Sequence, residues 1–120
     1  MTQNQLLEIK SKLLKAKEEK KNEVLIELLY SLRVHGLQIP SDQRKKFVNE
    51  MIKNDIFYLT DNKEKQFIFN LLTMHAYNIR HALLSNLSIL VSCYKGVEYL
   101  TCNGMNNLVK IIEVFYSKNR

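Results

Sequence analysis

Apolar residues at helical spacing are densest between residues 78 and 91 of the chain. They recur every three or four positions as Ile79, Leu83, Leu87 and Leu90, and the face is widened by Ala82, Leu84 and Val91. A helix that is apolar over most of its circumference is stable only when it is buried. The pattern therefore predicts a central core helix, with Asn78 as its N-cap.

A second apolar helix follows after two short breaks. Gly96 to Leu100 is predicted to form a short helical segment, and Asn103-Gly104 is predicted to end it. The apolar face of the next helix contains Met105, Leu108, Val109, Ile111, Ile112 and Phe115. A long, a short and another long helix in this order are typical of an α-solenoid repeat. A helical bundle without repeats is the alternative.

Three further helices are predicted upstream of the core helix. Their boundaries are Glu23 to His35, Ser41 or Asp42 to about Lys53, and Asn62 to Met74. Gly36 lies where a C′ residue belongs, and Pro40 prevents the first of these helices from continuing. Asp61 and Glu64 resemble a capping box at the start of the third. The whole chain is thus predicted to form about seven helices and no strand.

Residues 1–22 are predicted to form a charged amphipathic helix that precedes a helical domain of residues 23–120. Leu6, Ile9, Leu13 and Ala16 fall on one face of this helix. An apolar face of that length is rarely left in water. It either caps the rest of the fold or docks on a partner helix, which makes Leu6 and Leu13 candidate protein-binding residues.

Composition places the chain among globular proteins. It has 120 residues, of which 46% are hydrophobic and 25% charged, as expected of one domain. The longest apolar run, Ser85 to Tyr94, is shorter than the stretch of about 20 residues that a transmembrane helix needs. Residues 1–21 carry charges throughout and lack the apolar core of a signal peptide. We expect a cytoplasmic protein without a membrane span.

Half of the net charge of +6 comes from residues 1–22, where six lysines outnumber three glutamates. Such a helix either exposes a solvated face or binds nucleic acid or another acidic surface. No aromatic residue that could stack on a base lies between Lys10 and Lys21. We therefore favour a protein partner and keep nucleic-acid binding as the alternative.

Arg44-Lys45-Lys46 is the one basic cluster outside that segment. It lies in the first turn of a predicted helix, where the helix dipole disfavours cations. We treat Arg44, Lys45 and Lys46 as candidate contacts for an acidic partner or an anion. A solvated surface turn is the alternative.

Few residues are suited to metal binding or catalysis. His75, His81, Cys93 and Cys102 are the residues from which a zinc site would have to be built, but their spacings do not close a tetrahedral site locally. We expect both cysteines to be small buried hydrophobes. Glycine-rich phosphate loops, nucleophile elbows and metalloprotease motifs are missing from the sequence. We predict a protein that is not an enzyme and uses no cofactor.

The segments Ala82 to Ser88, Gly96 to Leu100 and Gly104 to Ile112 resemble an armadillo repeat from its third helix into the next repeat. The resemblance implies an all-α fold, a right-handed helical solenoid of about two repeats with the amphipathic helix at its N-terminus. It also implies that Ala82 and Asn86 face the concave, protein-binding surface. Ala82 stands where peptide-binding members usually carry tryptophan, so we expect Asn86 to serve the fold or a flat protein interface.

A narrower resemblance covers residues 24–116. Its elements are Pro40, Gln43-Arg44, Val48, Ile52 to Phe57, Leu71-Leu72, Ile79-Arg80, Gly96 and Tyr99-Leu100. This order is similar to the start of the armadillo region in the LisH-and-armadillo proteins of cilia and basal bodies. The resemblance implies a protein-interaction scaffold at the basal body or ciliary tip, acting beside tubulin-associated TOG-array proteins.

Overall fold

The computed structural model describes residues 1–74 and 76–117, with side chains described up to Val114. These residues form seven helices and no strand. The helices are α1 (Gln3–Glu18), α2 (Asn22–Gln38), α3 (Ser41–Lys53), α4 (Phe67–Leu72), α5 (Tyr77–Val91), α6 (Tyr94–Cys102) and α7 (Asn106–Ser117). The predicted all-α class and helix number are confirmed.

Helix α5 is the centre of the fold, as its apolar pattern predicts. Ile79, Leu83, Leu87 and Leu90 have no exposed surface. Helices α2, α4, α6 and α7 all pack against it. Its N-cap, however, is Ala76, so Asn78 lies inside the first turn and the predicted cap is wrong.

Helices that are three elements apart in the chain lie side by side. The most extensive helix contact joins α2 to α5, and α3 packs on α6. On the first pair, Leu29 meets Asn86 and, further along both helices, Gly36 meets Ile89. The second contact lies nearer the C-terminal end of both helices than the first, so α2 and α5 are parallel. The fold therefore stacks α2 and α3 on α5 and α6.

Two glycines permit this stacking. Helix α2 continues to Gln38, so Gly36 is not the C′ residue we predicted but a buried position inside the helix. A Cβ on Gly36 would lie 2.9 Å from Cδ1 of Ile89, which shows how closely α2 approaches α5. A Cβ on Gly96 would lie only 1.8 Å from the carbonyl oxygen of Leu90. Glycine at position 96 thus allows α6 to start against the last turn of α5.

The predicted helix from Asn62 to Met74 is reduced to α4. Residues 54–66 form turns instead, and the carboxylate of Asp55 organises them. It accepts hydrogen bonds from the backbone N–H groups of Leu59 and Thr60 and from the hydroxyl of Tyr99. The carboxylate of Asp61 accepts a hydrogen bond from the N–H of Lys63, and it forms no capping box with Glu64 in the described structure. Side-chain bonds to the backbone here compete with helix formation.

Helix α1 packs on α2 through its apolar face. Leu6, Leu13 and Ala16 are buried, and a capping box between Thr2 and Gln5 starts the helix. The same core contains the buried residues of α2 to α7. In this conformation the face of α1 covers the chain's own core, which is the capping alternative.

Candidate functional site: a basic hollow between two helix starts

A basic hollow lies where the first turns of α3 and α6 meet. Its volume is about 520 Å³, and it is lined by Ser41, Arg44, Lys45, Ser92, Cys93, Tyr94 and Lys95. The stacking of α3 on α6 creates it, because Arg44 and Lys45 come from one helix and Lys95 from the other. The hollow therefore gathers three cations that are far apart in the sequence.

Backbone donors at both helix starts lack side-chain caps. The N-cap residues are Pro40 and Cys93, and neither offers a capping side-chain bond. The carbonyl of Pro40 accepts from the third and fourth residues of α3, and the carbonyl of Cys93 does the same in α6. The first two N–H groups of each helix make no hydrogen bond to the described part of the chain. Those groups add positive potential beside the hollow.

Arg44 is held in place by the preceding helix. Its Nε donates a hydrogen bond to the carbonyl oxygen of Gly36 at 3.2 Å, and the side chain is half-buried. Lys45, Tyr94 and Lys95 are exposed, and the Tyr94 side chain is 80% exposed. The site thus combines one hydrogen-bonded guanidinium with two exposed ammonium groups and an aromatic ring.

The positive charge of the hollow is not neutralised within the described residues. Arg44, Lys45 and Lys95 form no ion pair there. No acidic side chain lines the hollow, and Asp42, the acid in the first turn of α3, lies outside it. Repulsion among the cations and the two helix dipoles therefore raises the free energy of the empty site.

Lys46, the third residue of the predicted basic cluster, lies elsewhere. It lines a separate hollow of about 390 Å³ with Met1, His35, Ile39, Gln43, Phe47 and Glu50. Glu50 provides an opposite charge there, and the His35 ring packs edge-on against Phe47. Burial, followed by the nearby N-terminal ammonium, lowers the pKa of His35. The structure thus separates Lys46 from Arg44 and Lys45.

Most lysines of α1 already contact their own chain. Lys10 donates to the carbonyl oxygen of Asn54 at 3.0 Å and lies over the ring of Tyr58. Lys17 pairs with Glu64 at 3.5 Å and lies over the ring of Phe67. Both lysines fasten α1 to the segment of residues 54–67.

Two further lysines of residues 1–22 pair with glutamates that also belong to residues 1–22. Lys12 contacts Glu8, and Lys21 contacts Glu19. These pairs lower the pKa of both glutamates, through the hydrogen bond from the lysine in each case. Only Lys15 and Lys20 of the six lysines have no such contact within the described residues. A continuous free phosphate track along α1 is therefore missing from the described structure.

Asn86 and Ala82 are buried between helices. The Asn86 amide donates to the carbonyl oxygen of Leu29 at 2.7 Å and to that of Ala82 at 2.9 Å. Its Oδ1 atom is buried without a partner in the described structure. Asn86 therefore links α2 to α5, and neither residue is accessible to a partner in this conformation. Leu6 and Leu13 are inaccessible for the same reason, being covered by the core.

The structure describes three of the four candidate zinc ligands, His81, Cys93 and Cys102. The described residues contain no group of three or more His, Cys, Asp and Glu side chains placed to hold a metal ion. Cys93 is half-buried and Cys102 exposed, so our expectation of two buried cysteines is wrong for Cys102. His75, one of the zinc candidates, lies outside the described residues.

Sequence reasoning missed Ser92, Tyr94 and Lys95. We expected the short helix to begin near Gly96, whereas α6 begins at Tyr94 and brings Lys95 into its first turn. A positive residue beside a glycine is a weak signal by itself. Only the packing of α3 on α6 joins Lys95 to Arg44 and Lys45.

The chain was compared with protein-family models, with curated proteins and with solved structures, and none of these comparisons gave a match. Within the described residues, none of the helices is both long and apolar enough to cross a membrane.

Proposed function

We propose that this chain is a non-catalytic protein-interaction scaffold with an armadillo-like solenoid fold. The observation that carries the proposal is the stacking of α2 on α5 and of α3 on α6. In a solenoid, equivalent helices of neighbouring repeats lie side by side and create one continuous binding surface. The chain then contains about two repeats, with α1 covering the first.

The armadillo resemblance assigns the helices to positions in a repeat. Helix α5 corresponds to a third helix, and α6 and α7 correspond to the first and second helices of the next repeat. The contacts between these helices support an assignment of α2 as the equivalent of α5 and of α3 as the equivalent of α6. Armadillo-like repeats have about 40–47 residues. The unit from α2 to α5 is longer, because residues 54–66 form an extended turn-rich segment.

The ciliary resemblance supports a cellular setting for the scaffold. We propose a cytoplasmic protein at basal bodies or cilia, with partners among tubulin-associated or TOG-array proteins. The support is the ordered set of residues between positions 24 and 116, whose distinctive part is Ile52 to Phe57. In the structure, this part ends α3 and begins the segment that Asp55 organises.

The test measures which class of macromolecule binds the purified full chain and how strongly salt weakens binding. Tubulin, single-stranded RNA and duplex DNA are titrated in parallel with a labelled chain between about 50 and 200 mM salt. We expect protein binding that weakens only modestly over this range. Co-purification from ciliated cells should enrich axonemal or basal-body proteins over RNA-associated proteins.

One outcome of this experiment would favour nucleic-acid binding over the scaffold function. Six or more phosphate contacts weaken binding by about a thousandfold or more over the same salt range. Submicromolar RNA or DNA binding with that salt dependence, together with no tubulin binding and no axonemal enrichment, contradicts the scaffold.

A further inference from the structure

We infer that the basic hollow between α3 and α6 binds a phosphorylated side chain of a protein partner. The inference rests on the proposed scaffold function and names the chemistry of the partner. Its basis is the meeting of Arg44, Lys45 and Lys95 in one hollow without a neutralising acid in the described structure.

Charge determines the class of ligand. Three cations and two uncapped helix starts repel one another in the empty hollow, and an anion relieves all of these repulsions together. The fixed guanidinium of Arg44 and the free N–H groups supply directed donors, and the two lysines supply mobile charge. This combination fits a compact dianion with several acceptor oxygens, which a phosphate monoester provides.

Geometry favours one phosphate over a run of carboxylates. The cations meet in a single hollow of about 520 Å³ and do not extend along a helix face, because Lys46 belongs to a different hollow. An acidic peptide carries its charges on separate residues and needs a longer basic surface. A single phosphoryl group places about two charges and three acceptor oxygens at one point.

The exposed ring of Tyr94 favours a peptide carrier for the phosphate. It lines the hollow, is 80% exposed and makes no ring contact with a described aromatic side chain. The apolar face of an aromatic ring at the edge of an anion site gains contact area only from a ligand that extends beyond its phosphate. Inorganic phosphate leaves that surface uncovered, whereas a peptide backbone packs on it.

The experiment titrates the ¹⁵N-labelled full chain with acetyl-glycyl-phosphoseryl-glycinamide and follows amide shifts by NMR. The largest shifts are expected at the first residues of α3 and α6. The seryl and glutamyl forms of the same peptide and inorganic phosphate are titrated in parallel. We expect the phosphoseryl peptide to bind about tenfold more tightly than the glutamyl peptide and about threefold more tightly than inorganic phosphate.

A double variant tests the site. Lys45→Gln with Lys95→Gln should weaken phosphopeptide binding about tenfold or more, since each lysine contributes a charge-assisted contact. Lys46→Gln with Lys53→Gln removes the same charge from α3 outside the hollow and should weaken binding less than twofold. Tyr94→Ala should abolish the preference for the peptide over inorganic phosphate.

Four results overturn the inference. They are shifts elsewhere in the chain, equal weakening by the two double variants, equal affinity for the glutamyl and phosphoseryl peptides, and equal affinity for inorganic phosphate and the phosphopeptide. Tighter, Lys45- and Lys95-dependent binding to single-stranded RNA or to vesicles containing a phosphoinositide also overturns it, in favour of that ligand.

Failure of this site is distinguishable from failure of the scaffold. If the chain does not bind the phosphopeptide but the Lys45→Gln/Lys95→Gln variant still co-purifies with the wild-type protein partners, the scaffold stands and the site assignment is wrong. If neither chain co-purifies with proteins and tubulin does not bind, the scaffold itself is wrong. Folding of each variant is verified by its unfolding midpoint before titration.

Discussion

The lysines of residues 1–22 and the cations of the basic hollow have the same charge but different surroundings. Lys10 and Lys17 contact the segment of residues 54–67, and Lys12 and Lys21 pair with glutamates. Lys45 and Lys95 face a hollow with no acidic lining. Most lysines of the lysine-rich segment therefore have a partner in the described structure, whereas two of the three cations of the hollow, Lys45 and Lys95, have none.

From this difference we expect the availability of a positive charge, and not its density in the sequence, to determine where an anion binds. Where a lysine contacts a carbonyl, a carboxylate or a ring, removing it should destabilise the fold. Where cations repel one another, removing one should stabilise the fold and weaken binding. The predictions below test both regions, starting with the largest effect.

The largest expected effect is the loss of a core contact of α1. Leu13→Ala should lower the free energy of unfolding by about 2–5 kcal/mol, because the side chain has no exposed surface. Leu7→Ala on the same helix is the control and should cost below about 0.5 kcal/mol, since Leu7 is 42% exposed. Urea unfolding measures both. A change below about 0.5 kcal/mol for Leu13→Ala would show that α1 is detachable and belongs to a partner site.

A smaller effect is expected where α6 begins. Gly96→Ala places a Cβ against the Leu90 carbonyl, which is backbone and cannot rotate away, so we expect a loss of about 1–3 kcal/mol. Gly36→Ala is the matched control. The added Cβ of Gly36→Ala meets the ends of the Ile89 and Phe47 side chains, which can move. Alanine also stabilises a helix by about 1 kcal/mol relative to glycine. Similar destabilisation by both changes would contradict the tight start of α6 that forms the hollow.

The central core helix could be predicted from the sequence, whereas the structure of residues 54–66 could not. Helix α5 follows directly from apolar spacing, because burial of apolar side chains around most of its circumference dominates its energetics. Residues 54–66 depend on Asp55, whose φ of 48° starts a turn and whose carboxylate bonds Tyr99 of α6. That bond joins residues distant in sequence, so local capping patterns pointed to Asp61 instead.

Only part of the basic hollow could be predicted from the sequence, because the rest depends on contacts between residues that are distant in the chain. The position of Arg44 and Lys45 in a first helix turn could be predicted from the sequence, which left open a contact with an anion or acidic partner and a solvated surface turn. The addition of Lys95 and the separation of Lys46 depend on how α3 packs on α6. Four candidate protein-binding residues are buried in the fold: Leu6, Leu13, Ala82 and Asn86. Apolar periodicity or a motif position does not reveal whether the chain itself or a partner covers such a residue.

A pH dependence is expected from the contact that fastens α1. The hydroxyl of Tyr58 donates to the Lys10 carbonyl oxygen at 2.6 Å. Burial, assisted by Glu64, Asp61 and other nearby acids, raises the pKa of Tyr58 to about 12 from 10.0. The folded state therefore binds this proton more tightly than the unfolded state. The resulting stability is fully present below pH 10 and is lost as pH rises towards about 12.

Urea midpoints measured between about pH 8 and pH 12 test this effect. The wild-type chain should lose more stability over that range than Tyr58→Phe, which has no phenolic proton. Burial also raises the pKa of Tyr99, so the variant should retain part of the decline. Identical declines for the two chains would show that Tyr58 titrates as an exposed tyrosine and does not hold α1.

The smallest effects are the most direct test of the two kinds of lysine, because the same substitution should act with opposite sign. Lys17→Gln removes a half-buried pair with Glu64 and a contact with the Phe67 ring, and should destabilise the fold by about 0.5–1 kcal/mol. Lys45→Gln removes a cation near a helix start and beside Arg44 and Lys95, and should stabilise the fold by about 0.3–1 kcal/mol. Thermal unfolding at low salt resolves both shifts, and raising the salt should reduce the second more than the first, since the hollow is exposed. Destabilisation by Lys45→Gln would mean that its charge already has a partner in the free protein, and the hollow would then have no unneutralised charge to offer a phosphate.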